Sequence, residues 1–273
     1  AAAESVEKDK IPKAISTLLL AGIVSAFLGI SLANYTKDLI QDQLYVGSYL
    51  LLSFLSFMPG VFLFFFKNVE NIQKDSLKEG NIRNLKSIVL QPRFLQAITA
   101  AAFAYAVMSF LMTATPLSMH VMENMSLKET GLVLQFHVVA MFLPSLITGN
   151  LIKKYGHSAI IYGGVLFFFI TVLLSLFEQT YLNYMLSLIF LGLGWNFLFI
   201  SGTSLVVLTY NKEEKFKVQG INDLIVFSTM ALASLSAGIL LNSIGWKMMN
   251  LICIPFLVLI IFVSYMADKK SVS

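Results

Sequence analysis

Residues 182–209 read LNYMLSLIFLGLGWNFLFISGTSLVVLT, with no Asp, Glu, Lys or Arg among them. A helix needs about 20 apolar residues to cross a hydrocarbon core about 30 Å thick, and this run exceeds that length. It does not alternate apolar and polar residues, and a membrane strand needs only about ten. The reading is a membrane-spanning α-helix. Seven further stretches of the same kind surround it: 14–33, 45–66, 94–112, 131–152, 158–177, 224–241 and 248–265. The sequence thus predicts an all-α integral membrane protein with eight transmembrane helices.

Composition agrees. Of the 273 residues 57% are hydrophobic and 12% charged, with a mean hydropathy of +0.79. A soluble domain carries about 25% charged residues, so this chain lacks the polar surface to stand in water. Its net charge of +4 sits in short clusters between apolar runs. A nucleic-acid-binding face would be continuous, and none is expected.

The basic clusters orient the helices. With both termini on one side, that side holds Lys8, Lys10 and Lys13, the Lys and Arg residues of 67–93, Lys153 and Lys154, Lys212, Lys215 and Lys217, and Lys269 and Lys270. The opposite side holds Lys37, Lys128 and Lys247. Cytoplasmic loops carry such an excess, so both termini are expected in the cytoplasm. The one long connection, 67–93, separates two spans from six and is expected to hold a short surface helix and act as a hinge.

Small residues mark close helix contacts in membranes. Ala97, Ala100, Ala101 and Ala104 form one such ridge, Ser228, Ala231, Ser234 and Gly238 another, and Gly192, Gly194 and Gly202 punctuate the sixth span. Polar side chains at lipid depth are costly and point to function. Gln135, His137 and Asn196 are the candidates for a substrate cavity; each has an interhelical hydrogen bond as its structural alternative. His137 shares a helix face with Met141 and with Pro144 or Ser145, and its titration range suits proton coupling. Asp223 opens the seventh span after Gly220, either as a helix cap or as a gate residue pairing with a cytoplasmic lysine such as Lys154 or Lys215.

No His-Glu-x-x-His, Gly-x-Ser-x-Gly or phosphate-binding glycine loop is present, so neither an enzyme, a metal site nor a cofactor is expected. The single cysteine, Cys253, lies in an apolar run and reads as a buried hydrophobe.

Longer phrases carry a family resemblance. Gly149-Asn-Leu-Ile-Lys153-Lys154-Tyr-Gly156 resembles the cytoplasmic signature Gly-x-Leu-x-Asp-Arg-x-Gly of the major facilitator superfamily, with Lys153 where the signature has Asp. Tyr105 to Pro116, Leu191 to Phe199, Val218 to Asp223 and Ala21 to Ile30 are similar to a bacterial branch of unassigned cargo. Ile30 stands where that branch has the proline of a Gly-Pro pair, which weakens any implication of antiport.

The resemblance implies residues 1–66 as the last two helices of an N-terminal bundle, 67–93 as the cytoplasmic loop and 94–273 as a C-terminal six-helix bundle. A complete member has about twelve helices, so about four are expected before Ala1. The implied function is secondary transport of a small solute by alternating access in the bacterial inner membrane, coupled to protons or ions. Asp223, Lys153, Lys154, Gly149 and Gly156 are the implied cytoplasmic gate. The alternative is a non-transporting scaffold or sensor, or an inactive transporter fragment, with no polar cavity.

Overall fold

A computed structural model describes residues 11–40, 43–65 and 83–272. The described residues are helices joined by short turns, with no strand among them. The chain divides into two compact units, residues 1–79 and 80–273.

The first unit holds α1 (Ile11–Thr36) and α2 (Val46–Phe64). They pack as a hairpin: the Ser48 hydroxyl donates to the Ala33 carbonyl at 2.7 Å. Gly47 sits against the Thr36 carbonyl with no room for a Cβ.

The second unit begins with α3 (Leu85–Val89), capped by Asn84, whose side chain accepts from the Lys86 amide. Ile88 of α3 is buried with Phe94, Leu205, Val206 and Val218. This end of the long connection is therefore docked; the rest of the expected hinge, 66–82, lies outside the described residues. Then follow α4 (Pro92–Pro116), which opens on a proline where the missing N–H costs nothing, and a π-helical turn over Leu117–Met122. α5 (Leu127–Phe142) starts four residues before the expected Gly131, because Ser126 and Glu129 form a reciprocal capping box. α6 (Ser145–Tyr155), α7 (His157–Ser175) and α8 (Tyr181–Val207) complete the middle. His157, one residue before the expected span 158–177, is the first residue of α7.

α9 (Lys215–Ile252) is bent at Gly245, whose φ of 75° and ψ of 169° are non-helical and favour glycine. α10 (Ile254–Val272) continues the second arm. Among the described residues six segments are long and apolar enough to cross a membrane, and the last, Lys215–Lys270, contains both arms of this bend.

α8 is the hub, packed on α4, α5 and α7. Its three glycines make this possible, each admitting a different neighbour. A Cβ at Gly192 would lie 2.6 Å from the His137 carbonyl of α5, and one at Gly202 would lie 2.7 Å from the Ala97 carbonyl of α4. Gly194 receives the Phe168 ring of α7. The alanine ridge of α4 is wholly buried, which is the close packing its spacing predicts. The seventh-span stripe behaves differently: Ser228 and Ala231 are exposed, so it is no packing seam within this unit.

Candidate functional site: a polar and aromatic face on α4, α8 and α9

Two of the residues singled out from the sequence are consumed by packing. Pro144 has no N–H to donate and breaks the helix between α5 and α6, freeing backbone groups that must find other partners at membrane depth. Asn196 on α8 supplies them. Its Nδ2 donates to the Met141 carbonyl and to the Ser145 hydroxyl, each at 2.6 Å, and its Oδ1 accepts from Thr148 Oγ1 at 2.7 Å. Asn196 is 0% exposed. It is a clasp on the α5–α6 break, with both amide protons engaged inside the bundle, as the interhelical alternative offered by the sequence has it.

His137 is likewise fully buried, its Nδ1 2.7 Å from the Leu188 carbonyl. Its Nε2 has no partner among the described residues. The His137 ring and the Ser145 hydroxyl both turn toward α8, and the Met141 carbonyl between them does the same. Gln135 is buried, and Phe136 beside it is exposed.

Asp223 does not open a helix. α9 begins at Lys215, two turns earlier, because Glu214 ends the preceding turn there. Asp223 is exposed on α9, and its Oδ1 accepts from Asn222 Nδ2 at 3.1 Å.

Asp223 begins a face that sequence reading did not assemble. On α9, Asp223, Phe227, Ala231 and Ser234 follow three- and four-residue steps, the spacing of one helix side. On α4, Tyr105, Ser109 and Thr113 do the same. The two rows meet at both ends: the Tyr105 and Phe227 rings lie 6.0 Å apart, and the Thr113 and Ser234 hydroxyls share a 3.1 Å hydrogen bond in an exposed setting. Eight helical residues separate Tyr105 from Thr113, so the face runs about 12 Å.

α8 closes the side of this face with rings. Trp195 stacks on Phe199 at 4.9 Å with 13° between planes. Tyr105 stands edge-on to both, at 5.1 and 4.9 Å with 86° in each case. Trp195 is buried, Tyr105 and Phe199 are half-buried, and Phe227 is 51% exposed. The Trp195 Nε1 is buried without a partner among the described residues.

The other side of α4 is different in kind. Phe103, Val107 and Phe110, with Leu232, Leu240 and Phe256, line a cavity of about 520 Å³ between α4, α9 and α10. Its hydroxyls, on Thr229 and Ser236, bond their own helix carbonyls. This side suits acyl chains. An exposed carboxylate and hydroxyls, as on the Asp223–Ser234 face, are costly against lipid.

At the end of the unit that bears α3, two ion pairs fasten segments distant in sequence. Arg93 Nη1 donates to Asp268 Oδ1 at 2.7 Å, joining α4 to α10, with Ser158 of α7 bonded to the same oxygen at 2.6 Å. Arg83 pairs with Glu214 at 2.6 Å, and Glu214 also accepts from the Arg83 and Asn211 amides. The Arg83 hydrogen bond, reinforced by the Asn211 amide, holds the Glu214 carboxyl down at about 2.

The family model of the major facilitator superfamily matches residues 1–221 and 117–273. The chain belongs to the major facilitator superfamily. Among curated relatives, this facilitator is 36% identical over 262 residues to the riboflavin transporter RfnT of Brucella anthropi, covering 96% of this chain and 65% of the relative. It is 26% identical over 253 residues to the uncharacterized MFS-type transporter YdeG of Bacillus subtilis, covering 88% and 59%. The facilitator chain therefore spans less than two thirds of these relatives' length. Its fold is similar to the crystal structure of a bacterial homologue of the iron transporter ferroportin in an outward-facing state, with a TM-score of 0.65, 15% identity, 97% of this chain and 65% of that one covered.

The signature loop of this facilitator joins α6 to α7. Lys153 and Lys154 end α6, and Gly156 reverses the chain with a φ of 83°, a conformation a side chain would strain. Gly149, Lys153, Lys154 and Gly156 are all exposed.

Proposed function

We propose that the complete protein carries a small planar solute of the riboflavin type across the bacterial inner membrane by alternating access. The exposed polar and aromatic face of α4, α8 and α9 carries this reading, since such a face is costly against lipid. The 36% identity to a riboflavin transporter supports the cargo class. Eight spans with both termini cytoplasmic complete the proposal: residues 1–66 as the end of the first half, 67–93 as the connecting loop and 94–273 as the second half.

Asp223 is the proposed coupling group for a proton or ion gradient. It lies one turn from Phe227 on the same face and is exposed. The proposed cytoplasmic gate pairs Asp223 with Lys153 or Lys154, framed by Gly149 and Gly156. Burial of Asn196 and His137 removes two polar groups from any pathway, as a non-transporting scaffold would have it. The α4–α9 face supplies others, which favours transport.

The test is uptake of labelled riboflavin by cells that lack their own uptake system and express the complete gene. Accumulation that collapses with a protonophore, and that loses its pH dependence in Asp223→Asn, is the expected result. No accumulation by protein present in the membrane defeats the cargo reading. PH dependence retained in Asp223→Asn defeats the coupling assignment.

A further inference from the structure

We propose that the corner formed by Tyr105, Trp195, Phe199 and Phe227 is where the ring system of the cargo docks, with the Tyr105 hydroxyl as a polar contact; this rests on the transport reading above. The rings come from three helices, α4, α8 and α9. They are graded from the buried Trp195 to the open Phe227. The back is fixed: Trp195 and Phe199 lie one helical turn apart and stack nearly parallel, and a second contact to Phe142 of α5 holds Trp195 from behind at 5.9 Å. Tyr105 stands perpendicular to that pair as a side wall. Aromatic rings have electron-rich faces and electron-poor edges, so this corner presents both to an arriving flat ring. Two of its polar atoms lack partners: the buried Trp195 Nε1 has none, and the Tyr105 hydroxyl makes no hydrogen bond among the described residues. The half-buried Tyr105 hydroxyl is the group that an acceptor on a docked heteroaromatic ring can reach, whereas the Trp195 Nε1 is closed off from the face.

The corner reads the ring and leaves a flexible chain on the cargo to the Ser109–Thr113–Ser234 part of the face. Specificity would then reside in flatness and ring acceptors, with a sugar-alcohol chain contributing less.

Equilibrium binding to the complete purified protein separates these contributions, using riboflavin, an alloxazine without the ribityl chain, and ribitol. Both ring compounds are expected to bind and ribitol is not. Phe227→Ala removes an exposed ring and leaves folding intact. It is expected to weaken both ring compounds about 5- to 10-fold, as loss of one aromatic stacking contact does. Phe227→Trp should bind as the parent does. Tyr105→Phe keeps the wall and removes only the hydroxyl, and should weaken binding about 3- to 10-fold. Ribitol binding as well as riboflavin, or unchanged ring affinity in both Phe227→Ala and Tyr105→Phe, overturns the proposal. If riboflavin uptake persists in those variants, the corner fails and the transport reading stands. If riboflavin is not carried but the alloxazine binds and is lost in Phe227→Ala, the corner stands and the flavin cargo falls.

Discussion

Asn196→Ala separates a structural clasp from a cargo contact. The substitution deletes three hydrogen bonds of 2.6, 2.6 and 2.7 Å. An interhelical hydrogen bond in a membrane bundle contributes about 0.6 kcal/mol, with an upper end of about 1.7, so three give about 2 kcal/mol. Two partners are then left without a bond at the Pro144 break, the Met141 carbonyl and the Ser145 hydroxyl. A buried unsatisfied group costs about 1–3 kcal/mol, and partial relaxation of the break recovers some of it. The expected total is about 2–4 kcal/mol of lost stability. Thr148 is spared because its single hydroxyl proton, shared between Asn196 Oδ1 and the Pro144 carbonyl at 2.8 Å, can turn wholly to Pro144. Denaturation of the purified protein in mixed micelles measures the loss, and uptake normalised to folded protein in the membrane gives KM. The account requires a clear drop in stability with KM within about twofold of the parent. A variant as stable as the parent whose KM rises tenfold would place Asn196 on the cargo and refute the clasp.

Other outcomes follow from the same packing. Gly202→Ala places a Cβ 2.7 Å from the Ala97 carbonyl and 3.0 Å from the Ala101 amide, both backbone, so α4 and α8 must separate at a cost of about 1–3 kcal/mol. Gly220→Ala on α9 meets nothing within 4 Å and should gain about 0.5–1 kcal/mol; unfolding midpoints of the two variants check the opposite signs. Glu214 is held below its usual value of 4.5, down to about 2, by Arg83 and the Asn211 amide. Its contribution to stability is present above about pH 4.5 and is lost as pH falls toward 2. Glu214→Gln should flatten the acid limb of a stability–pH curve across that window, and an unchanged limb would contradict the pairing.

The span pattern was legible because it depends on local composition. The stretch 158–177 is found as His157–Ser175, and 182–209 as Tyr181–Val207. The glycines of α8 were recognisable as contact points, but not which helix each admits. Partners far apart in sequence were out of reach: Arg83 and Glu214 lie 131 residues apart, and nothing local to either names the other. The same limit left two readings of Asn196 open. A polar residue within an apolar run reveals that it needs partners, and not whether helix or cargo provides them. Periodicity grouped Ser228, Ala231, Ser234 and Gly238 as a seam; Ser228 and Ala231 prove exposed, and the adjoining Asp223–Phe227–Ser234 row gains meaning only beside Tyr105 and Thr113 of α4. Tyr105, Trp195 and Phe199 lie within apolar runs like many other rings, and no spacing rule connects residue 105 with residue 195.

The account rests on which side of the bundle meets water. Cys253, the single cysteine, is buried; in a Cys253→Ala background single cysteines are placed at Thr113, Phe227 and Ser234 on the polar face and at Phe103, Leu232 and Leu240 on the apolar side. Each is treated with a small membrane-impermeant thiol reagent in the complete protein, with and without cargo. Labelling at the first three, slowed by riboflavin, and none at the second three is the predicted pattern. Labelling confined to Phe103, Leu232 and Leu240 would put the polar face against lipid and contradict the account.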